Sequence, residues 1–261
     1  MEEIGALRTR GAESLQPGDT GGTHQPTMAR KARVVADGVP HPITQRGNHR
    51  QDVLLLSEDR RFYLETLRAK CAQHRVAILA QHRVAILGYC LMTNHAHLVA
   101  IPERPDGLAR ALGETHGRFA QRFNRRYRRR GHLWQNRFYS CPLGRDPLLT
   151  ALAYVDLNPL RAGLVRLPEQ YEGSSARAHA AGAESDPTID AWAWSELAIR
   201  DDWTMVLQAA AGGNDGERLR QSTYAGLPFG DAGSSRRWCA ALAANCAPSL
   251  RDRHPGVIEQ P

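Results

Sequence analysis

Between Val84 and Met92 the chain is almost wholly apolar (VAILGYCLM), a run too short for an ordinary helix and suited to a strand. Thr93-Asn94 reads as a turn and His95 to Ile101 as a partner strand, so the two runs form a hairpin candidate. Upstream, Arg33 to Arg46 (RVVADGVPHPITQR) carries strand-type residues and ends in the turn-like Arg46-Gly47-Asn48. A helix is expected from Ser57, an N-cap residue, with Tyr63, Leu67 and Cys71 one turn apart on its inner face. Pro105-Asp106-Gly107 introduces a longer helix, in which Leu108, Leu112, Thr115, Phe119, Phe123 and Tyr127 recur at helical spacing and Gly131 can end it. Trp134 to Leu143 reads as a further strand. Asp146-Pro147 starts a short helix that stops near Asn158-Pro159. This order is α+β and fits an antiparallel sheet covered by helices on one side. Residues 1–28 are poor in apolar positions and read as a disordered leader, with Met28 a possible alternative start; beyond about residue 180 the periodicity weakens, and 181–261 is expected to be partly helical or disordered.

One octet, AQHRVAIL, occurs twice in succession, at Ala72 to Leu79 and Ala80 to Leu87. An insertion of even length within a strand keeps the same side chains on the same face, whereas in a helix it rotates everything downstream. The copy that abuts Gly88-Tyr89-Cys90 is therefore assigned to the strand, as Val84 to Met92. The first copy can lengthen the preceding helix or bulge as a loop. Two identical segments competing for one strand position imply register heterogeneity and lower stability.

Charge adds a partner to this picture. The net charge is +7, and from Thr115 to Arg145 there is no acidic residue but there are nine arginines. Composition bias explains arginine over lysine, since Lys31 and Lys70 are the only lysines, but does not explain the missing acids. A surface for nucleic-acid phosphates accounts for both. The five cysteines are scattered without a C-x-x-C pair, which disfavours a disulfide framework or a thiolate zinc site. With no apolar run of membrane-spanning length and no signal-peptide pattern, a soluble cytoplasmic protein is expected.

The chemistry centres on His95-Ala96-His97. On a strand both imidazoles share one side of the pleat and can bind one divalent ion. The short helix offers partners: Tyr154 and Asn158 are four apart and share a helical face, so Asn158 could lend its carbonyl oxygen to the ion and Tyr154 present its phenol beside it. Tyr127 and Tyr139 are the other candidate phenols. Asp156 reads as a solvated helix residue, His179 as surface or packing, and Trp134 and Phe138 as base-stacking or core residues.

Four segments, in order over roughly residues 30 to 180, resemble the HUH-type single-tyrosine transposases, especially the branch associated with repetitive extragenic palindromes. They are ITQRGN at Ile43 to Asn48, YCLMTNHAHLV at Tyr89 to Val99, GHLWQNRF at Gly131 to Phe138 and YVDLNPLRAGL at Tyr154 to Leu164. The resemblance implies a ferredoxin-like catalytic domain spanning 29–180, Mg²⁺ or Mn²⁺ as cofactor, single-stranded or hairpin DNA as substrate, and commonly a homodimer. It makes His95 and His97 metal ligands, Asn158 the third ligand and Tyr154 the nucleophile. DNA contacts are expected from Arg46, Asn48, Arg118, Arg122, Arg125, Arg126, Arg129 and Arg137. The chain departs from the family pattern in the tandem octet and in Glu172-Gly173, where Pro-Trp is expected before Ser174-Ser175.

The implied reaction is cleavage and transfer of a DNA strand through a 5′-phosphotyrosine, which keeps the phosphoester energy and needs no nucleotide; no P-loop sequence is present. The alternative is a non-catalytic DNA-binding relic in which the octet has displaced the histidines. A zinc hydrolase is disfavoured because no further ligand cluster follows His97.

Overall fold

In the computed structural model the described residues are 35–71, 84–144, 147–197 and 202–230. The chain divides into two units, Met1–Lys31 and Ala32–Pro261; the expected leader falls outside the described residues, as does the first octet. Four strands form one antiparallel sheet in the order β2-β3-β1-β4: β1 His41–Arg46, β2 Val84–Leu91, β3 His95–Pro102 and β4 Tyr139–Ser140. Helices α1 (Ser57–Cys71) and α2 (Gly107–Arg126) join β1 to β2 and β3 to β4, so β3 is inserted between β1 and β2. This is the ferredoxin-like arrangement expected from the sequence.

Tyr63, Leu67 and Cys71 of α1 and Leu108, Leu112, Phe119 and Phe123 of α2 are buried with Ile43, Ile86 and Leu98 in one core on one face of the sheet. The apolar stripes at helical spacing create this layer, because each helix has one face to remove from water. The opposite face is covered too. Helix α3 (Leu148–Asp156), with Trp203 and Leu207 of α7 (Trp203–Ala211) and Leu219 of α8 (Asp215–Ala225), encloses Ala85, Leu87, Cys90 and Val99 in a second core. The one-sided cover expected from the sequence is thus corrected. Segments beyond residue 190 supply much of the second layer, and burial on both faces explains why β2 reads as a continuous apolar run.

β2 begins within the second octet, at Val84, as expected. A register shift between Ile86 and Gly88 interrupts its pairing with β3. Val84 and Ile86 face the α1/α2 core and Ala85 and Leu87 the other; beyond the shift Tyr89 and Leu91 face the first core and Cys90 and Met92 the second. Leu87 and Gly88 together therefore occupy one step of the pleat. Two expected strands are shorter than the sequence suggested. β1 starts only at His41, after a turn at Gly38 (φ +66°). Of Trp134 to Leu143 only Tyr139–Ser140 pairs as a strand, with isolated bridges at Trp134 and Leu143, since Pro142 has no N–H to continue a ladder. The tyrosine helix ends at Asp156 and a short helix α4, Asn158–Arg161, follows directly. Between α4 and α7 lie α5 (Ala176–Ala181) and α6 (Ala191–Glu196). No helix among the described residues is long and apolar enough to cross a membrane.

Candidate active site

Strand β3 places His95 and His97 side by side on the face of the sheet opposite α1 and α2, with ring centroids 4.7 Å apart and planes at 88°. Each ring is fixed through Nδ1. Asn94 Oδ1 lies 2.5 Å from Nδ1 of His95, and Thr44 Oγ1, on the paired position of β1, lies 2.9 Å from Nδ1 of His97. An amide oxygen can only accept, so the His95 proton sits on Nδ1 and Nε2 keeps its lone pair. Thr44 can hold His97 in the same tautomer, an outer hydrogen bond of the kind that orients metal-binding imidazoles. Burial, followed by the charge of Arg46, lowers the His95 pKa to about 4. Burial, then the charges of His95, Arg46, Arg161 and Arg220, pulls His97 well below its ordinary value. Both rings are therefore neutral at pH 7, the form that ligates metals.

Tyr154 projects from α3 against this pair, its ring centroid 5.5 Å from that of His97 and nearly perpendicular to it. All three side chains belong to one chain. The guanidinium of Arg161 lies 4.8 Å above the Tyr154 ring, and its Nη1 donates to the Tyr154 carbonyl at 3.1 Å. Burial pushes the phenol pKa up, and Arg161 and Arg220 oppose that rise. The Asn158 amide nitrogen donates to the carbonyls of Tyr154 (2.7 Å) and Val155 (3.4 Å). That anchors the side chain through nitrogen and leaves its oxygen as the atom able to accept or to ligate. Among the described residues no group of three or more His, Cys, Asp or Glu could hold a metal ion.

Other expected residues are distributed differently. Arg46, opposite His95 in the β1–β3 pairing, is on the tyrosine side of the sheet, with its guanidinium 5.7 Å over the Tyr224 ring. Asn48 follows in a short 3-10 turn. Arg118, Arg122, Arg125 and Arg126 line a cavity of about 350 Å³ with Phe62 on the outer side of α2. Arg122 lies 4.4 Å over Phe62, and Arg126 pairs with Glu58 at 2.7 Å. α2 and Tyr154 are on opposite faces of the sheet, so the structure does not bring the α2 arginines to the histidines. Arg129 and Arg137 are exposed in the loop that follows α2. Tyr127 donates to Asp59 at 2.7 Å on the α1/α2 side and is not near the histidines. Trp134 packs against Tyr63, His116 and Phe119 and donates to the His116 carbonyl. That is a core role, as is that of buried Phe138.

Asp156 requires a correction. It is fully buried, not solvated, and one of its oxygens lies 2.7 Å from Nδ1 of His179. Sequence reasoning also missed Arg161, whose seven-residue offset from Tyr154 places both on one side of the helical segment, and the whole contribution of α8. Gly216 at the start of α8 abuts the Tyr154 ring, and Tyr224 packs against Tyr139 with centroids 4.7 Å apart and planes tilted at 53°. Arg46 Nε and the Tyr224 hydroxyl are buried without a hydrogen-bond partner. No local pattern signals these contacts, because α8 is remote in sequence from everything it touches at the site.

Residues 47–158 match the model of the family described as Transposase IS200 like. That stretch of the chain is similar to the IS200-like transposases. It contains both histidines, the tyrosine and the asparagine, and excludes Arg46, Arg161 and α8. A solved structure of a tyrosine transposase associated with REP sequences, bound to a REP hairpin, is similar at 16% identity and a TM-score of 0.47, covering 62% of this chain and 90% of that one. No curated protein matches the chain.

Proposed function

We propose that the IS200-like segment is a working single-strand DNA transferase, with Tyr154 as nucleophile and a Mg²⁺ or Mn²⁺ ion held by His95, His97 and Asn158. The observation that carries this reading is the edge-on contact between the Tyr154 ring and His97, a tyrosine beside two neutral imidazoles whose Nε2 atoms remain available. The donor set fits a divalent ion: two imidazole nitrogens and an amide oxygen, each oriented by a hydrogen bond through its other polar atom. When bound, such an ion polarises a phosphate and draws off developing charge.

Tyr154 attacks the phosphorus of a single strand, the phenolic oxygen forms the new P–O bond, and the 3′-oxygen leaves and takes up a proton. The product is a 5′-phosphotyrosine with a free 3′-hydroxyl. Arg161 and Arg220 lower the cost of the developing phenolate, and Arg46, with an unpartnered buried nitrogen, offers a donor to a phosphate oxygen. The α2 arginines, on the far side of the sheet, suit the duplex of a hairpin whose single strand crosses to the tyrosine side. What favours catalysis over a non-catalytic relic is that β2 begins within the second octet and β3 still presents both histidines.

The test is incubation of a labelled single-stranded hairpin with Mn²⁺ and either wild-type protein or Tyr154→Phe. A denaturation-resistant protein–DNA adduct from wild type alone is expected, with hairpin affinity equal in the two. Binding without adduct in both identifies the relic.

A further inference from the structure

Asp156 lies two residues after the tyrosine and two before the asparagine, on the inner side of α3, with no exposure to solvent. One oxygen lies 3.1 Å from Ser175 Oγ, whose hydroxyl is shared with the Tyr89 carbonyl at 3.1 Å; the other accepts from Trp203 Nε1 at 2.9 Å and lies 2.7 Å from Nδ1 of His179. The far nitrogen of His179 is 2.8 Å from the carbonyl of Leu87. Each nitrogen of that imidazole thus faces an oxygen, one from α3 and one from β2, which fixes the plane of the ring. Ser175 Oγ in turn accepts the N–H of Tyr89 at 2.9 Å. His179 stacks flat on Trp194 at 4.2 Å and 9°, with Trp203 edge-on at 5.1 Å. Gly88 completes the fit, since a Cβ there would come within 3.1 Å of His179 Cε1 and 3.0 Å of a Leu152 methyl.

We infer that Asp156 and His179 are positioning residues, a buried hydrogen-bonded pin that fixes the rotation of α3 and so aims Tyr154 and Asn158 at the histidine pair. This rests on the reading of Tyr154 as the nucleophile. The pin ties α3 to both sides of the irregular step in β2 and to α7, which no neutral packing contact of α3 does with comparable directionality. A half-buried helix held by leucines alone can roll by tens of degrees at small cost, whereas a buried carboxyl group held by several directional hydrogen bonds tolerates little displacement before a polar atom loses a partner. Pinning the residue between Tyr154 and Asn158 constrains both.

The experiment compares full-length wild type with Asp156→Asn and the milder Trp203→Phe, which removes a single N–H while keeping a ring in place. Three quantities are read: single-turnover adduct formation, hairpin Kd, and the ring resonance of Tyr154 in protein carrying ¹³C-labelled tyrosine. Adduct formation about tenfold or more slower, hairpin Kd within about twofold, and a shifted Tyr154 resonance are expected for both variants. If Asp156→Asn does not fold, Trp203→Phe decides. An unchanged adduct rate overturns the inference, as does a loss of rate matched by an equal loss of hairpin affinity. If wild type itself forms no adduct, the transferase reading fails separately, and the Tyr154 resonance in Trp203→Phe still decides: unmoved, it overturns the pin.

Discussion

At the residue scale, the position most sensitive to a small change is Gly216. A Cβ built there would lie 2.8 Å from Cδ2 of Tyr154, closer than non-bonded carbons approach. The neighbour that must yield is the ring of the proposed nucleophile. Gly216→Ala adds one methyl group on a helix, where alanine is intrinsically favoured, so helix propensity alone would stabilise α8 by about 1 kcal/mol. Overpacking against Tyr154 opposes this by about 1–3 kcal/mol. The variant is expected to fold with a similar or slightly lower Tm and to form the phosphotyrosine adduct about tenfold more slowly, because sub-ångström errors in the attacking atom are costly. Thermal denaturation together with an adduct time course checks this, and an adduct rate equal to wild type would show that α8 does not shape the site. Residues such as Gly216 and Asp156 were not legible in the sequence. A glycine in a weakly periodic tail and an aspartate on a short helix both have ordinary exposed roles, and only tertiary contacts made by distant segments decide otherwise.

At the element scale, the hairpin was legible and its bulge was not. Val84 to Leu91 and His95 to Pro102 pair almost as the apolar pattern implies, and the second of them puts both histidines on one face because the strand period is fixed at two. The second layer of helices escaped detection because α3 presents apolar residues over most of its circumference and α6 to α8 are short. The tandem octet is the element-scale question that can be answered directly. Removing either copy yields the same sequence, in which Cys71 is followed by a single AQHRVAIL and then Gly88. Residues 72–83 connect α1 to β2, and deletion shortens this connection from 12 residues to 4. Loop-closure entropy alone then favours the deletion variant by about 1 kcal/mol. It also removes the duplicate expected to compete for the β2 position. The variant is expected to unfold at equal or higher temperature than wild type and to form adduct at an equal rate, as measured by calorimetry and the hairpin assay. A large loss of stability would mean that the first copy carries part of the fold.

At the scale of the whole molecule, one sheet separates arginine-lined α2 on one side from the histidine–tyrosine cluster on the other, so the integrity of both depends on the cooperative stability of that sheet. Its acid limit is set in part by His41, the first residue of β1 and fully buried. Nδ1 of His41 donates to the Val39 carbonyl at 2.7 Å, and Nε2 accepts the N–H of Ala36 at 3.2 Å. The ring is thereby fixed as neutral, because a second proton on Nε2 would face a donor. Burial lowers its pKa from 6.5 to about 4, and the bond to Val39 opposes that shift only in part. The folded-state pKa lies below the unfolded one, so the unfolded chain takes up a proton as pH falls below 6.5 while the native state does not until about 4. Stability from this group is complete above the unfolded value and is lost as pH falls through that window. Between pH 7 and pH 4.5 the loss amounts to roughly 2 kcal/mol. His95, also lowered to about 4, titrates over the same range, so a total pH profile does not isolate His41. His41→Gln does, since an amide can donate to Val39 and accept from Ala36 without titrating. Urea unfolding of wild type and variant at the two pH values should show the variant gaining roughly 2 kcal/mol relative to wild type on acidification. If the difference between them is the same at both pH values, the buried neutral imidazole is not what makes the sheet acid-sensitive.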